Sequence, residues 1–338
     1  MINKPFAFSL RKMGTLFNFT IHSQNYDHGW NTDIEALIEK LEQSWSRFRF
    51  DSELSILNKT GHISAPSEEF QMAISATIEA YEETGGLFDP RVLNALEVLG
   101  YDESFEKIQS KGPNSTRTHA TPTSPLRDEI LITADGITLH SEHRIDLGGI
   151  GKCLALEEIS SLILKKDQES SFLIDAGGDI VSRSSTNFPC WYIAIEDPNT
   201  TEPLGFWIRL SNGSVATSSP SIRRWRRGGT LKHHLIDPTS MDSSNSDLAS
   251  VTVVGDIASK GEVWSKSLFL MGRERAIATA EAEGIAAVFI DQKSNVFTSS
   301  PFARYIEVRG DGASSANTAD HFDFSSPLSN FTSIHFDH

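Results

Sequence analysis

The chain has 338 residues, with 30 Lys and Arg against 45 Asp and Glu and a net charge of −15. That length allows one large or two ordinary domains with ample core, and the acidic balance excludes nucleic acid as the main partner. No apolar run is long enough to span a bilayer.

Residues 1–12 read as an N-terminal extension without the apolar stretch of a signal peptide or a cysteine to carry a lipid. From Thr15 to His22, Leu16, Asn18 and Thr20 alternate with Phe17, Phe19 and Ile21, the period of a half-buried strand. Thr32-Asp-Ile-Glu35 reads as a capping box, and Ile34, Leu37, Ile38, Leu41, Trp45 and Phe48 follow helical spacing. A second amphipathic helix is predicted over Ser67 to Thr84, stopped by Gly85-Gly86. Residues 110–127, polar and proline-rich, read as a mobile insertion.

Short strands are predicted at Ile130–Thr133, Phe172–Ile174, Trp191–Ile195, Gly205–Leu210, Ser250–Val254, Ala287–Ile290 and Asn295–Thr298. Helices are predicted at Gly149–Lys165, Lys260–Leu270 and Glu274–Glu283. The order lacks the strand–helix–strand beat of a parallel sheet, so an α+β fold with mixed or antiparallel sheets is expected. Residues 13–309 form one interleaved body, and 310–338, poor in periodic apolar residues, read as a disordered tail. Cys153 and Cys190 are too isolated for a disulfide framework or a metal knuckle; two free thiols fit a reducing compartment, and a cytoplasmic protein is expected.

Chemistry concentrates in Arg144-Ile-Asp-Leu-Gly-Gly-Ile-Gly-Lys-Cys-Leu-Ala-Leu-Glu-Glu158, where Asp146, a glycine-rich turn and Lys152 stand at the mouth of an apolar-periodic helix. Glycines let backbone approach a ligand, and a helix N-terminus offers unpaired N–H groups to an anion. The bland alternative is a tight turn with a solvated lysine. Arg223-Arg224-Trp225-Arg226-Arg227 is either a solvated loop or a clamp for phosphate or an acidic acceptor.

Seven further segments fall in a telling order: Met13-Gly14-Thr15, Ser46-Arg47-Phe48-Arg49 with Asp51-Ser52-Glu53, Leu87-Phe88-Asp89-Pro90, Phe172-Leu-Ile-Asp-Ala-Gly177-Gly178-Asp179, Val215-Ala-Thr-Ser218, His234-Leu-Ile-Asp-Pro238 and Ser250-Val-Thr-Val-Val254. With the glycine-rich stretch they resemble the successive motifs of the ApbE-like flavin transferases over roughly residues 13 to 308. The resemblance implies an ApbE-like (T-fold-like) architecture and an FAD:protein FMN transferase. Such enzymes cleave FAD with magnesium, join FMN to a Thr or Ser of an acceptor flavoprotein within Asp-Gly-x-Ser/Thr-Ser/Gly-Ala-Thr, and release AMP. It places Met13, Phe48, Leu87, Phe88, Asp89 and Ile236 in the FAD pocket, and Asp146 and Lys152 on the nucleotide. Gly149 would offer its carbonyl to the metal.

His234 is the expected general base, since an imidazole titrates near neutral pH and can take the proton of an attacking hydroxyl. Asp237 would orient its ring or begin a turn before Pro238, and His233 is the neighbour to be told apart from it. By spacing alone Phe48 reads first as core packing on the preceding helix, and Asp89, before Pro90, reads equally as a turn former.

The chain departs from the pattern at several positions. Thr239-Ser240-Met241 stands where Thr-Gly should follow the proline, and Ser219 where glycine should follow Ser218. Glu262 and Lys266 occupy the positions of a metal-binding Asp and Thr. Glu can still coordinate magnesium, but Lys brings donors and a positive charge. Either Lys266 replaces part of the metal's charge or it pairs with Glu262 one turn away and cancels the site. FMN transfer is therefore the first function expected, with a non-catalytic FAD-binding protein or an FAD pyrophosphatase as alternatives. In the tail, Asp311-Gly312-Ala313-Ser314-Ser315-Ala316-Asn317-Thr318 approaches the acceptor pattern. Coincidence is the first reading of so short a string, and self-flavinylation at Thr318 or a pseudo-acceptor the other.

Overall fold

The computed structural model describes residues 5–103, 105, 108, 121–186, 188–308 and 331–334. Residues 110–120 of the expected insertion and the Asp311–Thr318 string lie outside the described residues.

The chain opens with β1 (Phe6–Lys12) and β2 (Thr15–His22), joined by a turn in which Met13 and Gly14 both have positive φ, 51° and 66°. An α-rich excursion follows: α1 (Gly29–Trp45), α2 (Glu53–Thr60), β3 (His62–Ile63), α3 (Glu68–Glu83), α4 (Leu93–Val98), α5 (Leu126–Glu129), β4 (Ile130–Thr133), β5 (Gly136–Leu139) and α6 (Gly151–Lys166). The chain then returns as β6 (Ser171–Ala176), β7 (Ile180–Arg183), β8 (Trp191–Glu196), β9 (Pro203–Leu210) and β10 (Gly213–Ser218). Next come the short β11 (Arg224–Arg227), β12 (Thr230–His233), β13 (Ile236–Asp237) and β14 (Asp242–Ser243), then β15 (Leu248–Gly255). Last are α7 (Ala258–Met271), α8 (Arg273–Ala282), β16 (Ala286–Asp291), β17 (Val296–Thr298), β18 (Ile306–Val308) and β19 (Phe331–Ile334).

Eight strands form the main sheet in the order β1-β2-β6-β7-β10-β15-β16-β17, every pair antiparallel. Strand alternation sends neighbouring residues to opposite faces. Phe17, Phe19, Ile21, Phe172 and Ile174 pack on α1 and α6, and Val251, Val253, Ala287 and Phe289 pack beside α7 and α8. Leu173, Ile180, Val215, Val254, Val288 and Ile290 instead meet Trp191, Ile193, Ile195 and Ile208 of a four-stranded sheet, β18-β9-β8-β19. The α+β expectation with mixed and antiparallel sheets is thus met. Among the described residues, no helix is long and apolar enough to cross a membrane.

Three local expectations need correction. Residues 6–12 are the first strand of the main sheet rather than an extension outside the body, their amides paired with β2. Within the expected disordered tail, Phe331–Ile334 pairs in parallel with β8, whose edge offers unpaired backbone groups. Thr32 and Glu35 do not cap α1: the helix starts at Gly29, whose amide donates to the Asp27 carboxylate at 2.7 Å. The helix predicted over Ser67 to Thr84 does carry a cap: Ser67 Oγ accepts from the Phe70 amide at 3.1 Å.

A buried ion triad frames the excursion. The Arg91 guanidinium donates to both Asp89 oxygens from Nε and Nη2 (2.7–3.2 Å), and Nη1 lies 2.9 Å from Glu129 and 2.8 Å from the Ser124 carbonyl. The Arg91 side chain is 1% exposed. Removing one partner leaves uncompensated buried charge, so Arg91→Ala should lose about 3–5 kcal/mol of stability. Denaturant titration should show a lowered midpoint; a loss below about 1 kcal/mol would show that water or other groups compensate the two carboxylates.

Candidate active site

Packing around α6 and α7 determines the site. α7 lies against β10 at Gly261, where a Cβ would touch the Ala216 Cβ at 3.4 Å. A buried Ser218–Ser265 hydroxyl pair at 2.9 Å fixes the same contact. Glu157 of α6 accepts the Ser259 amide of α7 at 2.7 Å, which ties the two helices together. Asn58 on α2 bonds both backbone groups of Ile145 at 2.8 Å, and the Asp146 amide donates to the Pro90 carbonyl at 2.8 Å. The glycine-rich segment is thereby pinned before α6 begins at Gly151, two residues later than predicted and without a side-chain cap. The amides of Ile150 and Gly151 both donate to the Leu147 carbonyl, at 3.1 and 2.8 Å, so any donors left for an anion come from the rest of the first turn.

Two adjoining spaces of about 270 and 350 Å³ open at this point and share Gly148, Lys152, Arg223, His234 and Lys266. The first is mainly apolar, walled by Phe48, Leu87, Phe88, Leu96, Tyr101 and Leu270, and Met13, Asp89, Asp146, Gly149 and Ile236 also line it. The second is polar, with Asp179, Thr217, Ser218, Ser219 and Glu262 on its wall. Met13, its φ of 51° placing it at the hairpin tip, reaches the start of α6. Of the residues that the resemblance places in the FAD pocket, on the nucleotide, at the metal or in catalysis, the structure brings together all but Asp237.

Several side chains behave otherwise than expected. Asp237 accepts from the Thr239 amide and hydroxyl at 2.8 and 2.7 Å, so it shapes its own turn rather than the His234 ring. Asp89 lines the first space, but its carboxylate is engaged by Arg91. Phe48 lies beyond the end of α1 and is 47% exposed, which removes the core-packing alternative. Its ring is 4.3 Å from the Arg47 guanidinium carbon, which also lies 4.5 Å from the Tyr101 ring. Arg47 Nε stands 3.3 Å from Asp146, and its Nη2 is buried without a partner. Arg47, Tyr101, Asp179 and Arg223 join the site in three dimensions; in sequence Arg47 and Asp179 stand within motifs of the resemblance and Arg223 opens the arginine cluster, whereas Tyr101 has no such signal. Of the arginine cluster, Arg223 lines both spaces, whereas Arg224 and Arg226 are exposed on the β11–β12 hairpin.

The two histidines separate clearly. His233 is used up locally: Nε2 lies 3.0 Å from the Ser244 carbonyl, and Nδ1 accepts from the Leu235 amide at 3.3 Å. His234 faces both spaces, with Nδ1 3.4 Å from the Arg223 carbonyl. Donation from Nδ1 to that carbonyl leaves the Nε2 lone pair as the basic site. Burial, then the charges of Arg223, Lys266 and His233, hold the His234 pKa well below the usual imidazole value.

The cations meet where the two spaces join. Lys152 is ion-paired with Asp179 and lies 3.8 Å from Glu262, while Lys266 is ion-paired with Glu262 one helical turn away. Burial works to raise the Glu262 pKa, but Lys266 and Lys152 outweigh it and the carboxyl is held below its usual range. Cys153, Asp179 and Glu262 bring one ligand atom each within 4.8 Å of one another, the described set nearest to a metal site. It does not fit the magnesium that the resemblance implies. Both carboxylates already carry an ammonium, burial keeps Cys153 a protonated thiol, and Glu262 Oε2 alone lacks a partner. Magnesium requires near-octahedral oxygen coordination at about 2.0–2.1 Å.

Known proteins place this geometry in context. A protein of Haemophilus influenzae named FAD:protein FMN transferase is 25% identical over 335 residues, covering 90% of this chain and 93% of its own. One of the same name from Vibrio cholerae is 26% identical, with 81% and 84% covered. The ApbE protein of Thermotoga maritima superposes with a TM-score of 0.78 at 21% identity, covering 89% of this chain and 99% of its own. Residues 13–289 match the model of the ApbE family, and the chain belongs to that family.

Proposed function

We propose that this protein is an FAD:protein FMN transferase that uses FAD as substrate. The observation that carries the reading is the junction itself: a neutral histidine and three cations stand where an aromatic-walled space opens into a polar one. A flat ring system suits the space beside Phe48 and Tyr101, because stacking gives affinity without hydrogen-bond demands. The pyrophosphate then falls beside Lys152, Lys266 and Arg223 at the start of α6.

In the reaction, an acceptor Thr or Ser hydroxyl attacks the phosphorus of the FMN half. The hydroxyl proton passes to Nε2 of His234, the new P–O ester forms, and the bond to the bridging oxygen breaks. AMP departs with that bonding pair. Orientation and charge stabilisation supply most of the acceleration. The acceptor belongs to the class carrying Asp-Gly-x-Ser/Thr-Ser/Gly-Ala-Thr, and the free thiols Cys153 and Cys190 support the cytoplasmic placement expected from the sequence.

Incubating the protein with FAD and an acceptor domain of that class should yield AMP and flavin covalently bound to the acceptor. AMP without bound flavin would make the protein a pyrophosphatase, and neither product a binder.

His234→Ala should lower transfer by about 10²–10⁴ while FAD affinity, read by flavin-fluorescence titration, changes little. His233→Ala should cost about 1 kcal/mol of stability through its lost hydrogen bonds and leave transfer nearly intact. Opposite outcomes for the two variants would move the base assignment to His233.

A depressed pKa keeps His234 unprotonated into more acidic solution. The acid limb of kcat against pH should therefore fall below the ordinary imidazole value of about 6.5. At pH 6 more than half the rate at pH 7.5 should persist, where an unshifted histidine would keep only about a quarter. A limb centred at or above 6.5 would contradict the placement of His234 beside Arg223 and Lys266.

A further inference from the structure

At the meeting of the two spaces the described residues carry an excess of positive charge. Lys152, Lys266 and Arg223 stand against Asp179 and Glu262, while the nearby Asp146 is taken by Arg47. Three cations against two carboxylates repel a divalent cation and attract a pyrophosphate. Lys266 is also fixed in place. Its stem packs beside Gly149, where a Cβ would meet Lys266 Cε in ordinary contact at 3.6 Å and crowd the Phe88 ring at 3.2 Å. The lysine stem thus runs along the glycine backbone, and its ammonium ends at Glu262 in the polar space.

From this geometry we infer that the Lys266 ammonium takes the place of the divalent cation, so that FAD is bound and cleaved without metal. The inference rests on the transferase reading above and states how that site handles charge. Each ammonium has three N–H donors, of which the carboxylates occupy only part. The remaining donors of Lys266 and Lys152 face the pyrophosphate. As the acceptor oxygen bonds to the FMN phosphorus, the bridging oxygen leaves with the electron pair on AMP. The ammonium charges neutralise the growing negative charge on that phosphate, and the acceptor's proton resides on His234. No redox partner or further reactant is needed.

The test compares wild-type protein in EDTA and in excess magnesium, first by FAD titration and then by AMP release with an acceptor domain. The FAD Kd and the AMP rate should each differ by less than about twofold between the two buffers. Lys266→Thr should weaken FAD binding at least tenfold in EDTA, with magnesium restoring much of the loss, because Glu262 is then free to hold the ion. Wild-type protein whose FAD affinity or AMP release rises tenfold or more with magnesium would overturn the substitution of lysine for metal. FAD that binds in neither buffer would overturn the transferase reading itself. FAD bound equally in both buffers, with AMP formed in neither, would sustain metal-free binding and refute transfer.

Discussion

Glu262 is a carboxylate with a side chain only 3% exposed, and a charge so placed persists only when other charges and hydrogen bonds compensate it. Its compensation comes from three separate parts of the chain. Lys266 supplies one cation from the same helix, Lys152 another from α6, and Asp179 on the β6–β7 turn holds Lys152 in turn. The turn can carry Asp179 there because Gly177 has φ of +69° and because a Cβ at that point would lie 2.3 Å from Thr15 Oγ1. Packing of α6, α7 and the first strands of the sheet is thus one problem with the electrostatics of the cleft. A change at any of the four charged groups unsettles the other three.

The same cations set the state of the imidazole. Arg223 and Lys266, which suit the site to a phosphate, also disfavour a proton on His234. A cation-rich cleft would therefore serve the proposed base as well as the proposed ligand, with no carboxylate aimed at the ring among the described residues. Asp237, the residue nearest in sequence that could have served that purpose, is occupied by Thr239.

Much of this was legible in the sequence where a signal extends over many residues. The strand at Thr15–His22, the helix capped by Ser67 and the glycine-rich entry to α6 all announce themselves by period or by punctuation, and the order of short motifs located the cleft. Short elements did not: α2 has eight residues and only Leu54 and Leu57 fully buried, too few to establish a period. Thr32 and Glu35 have cap spacing, yet the chain had already entered the helix at Gly29. Pairings across long separations were invisible for a different reason. Lys152 with Asp179 and Arg47 with Asp146 depend on how distant segments meet, and no local pattern records that. The Asp-Pro pairs left two readings open, because an aspartate at a turn can satisfy its neighbours as well as face a ligand.

The main sheet follows chain order strand by strand, yet β2 and β6 are separated by the entire α-rich excursion. Joining them closes a very long loop, and closure entropy rises only with the logarithm of length. Lengthening or trimming that excursion by a tenth would change the closure term by only about 0.1 kcal/mol. The excursion also brings its own apolar cluster, from Leu41 and Trp45 through Phe70 and Ile74 to Leu154. Folding can accordingly tolerate considerable variation in the length of the segments that build the cleft, while the antiparallel ladder beneath them keeps its register. Such a scaffold leaves evolution free to rework the mouth of the site by insertion and deletion, with substitution of the buried charges far more constrained.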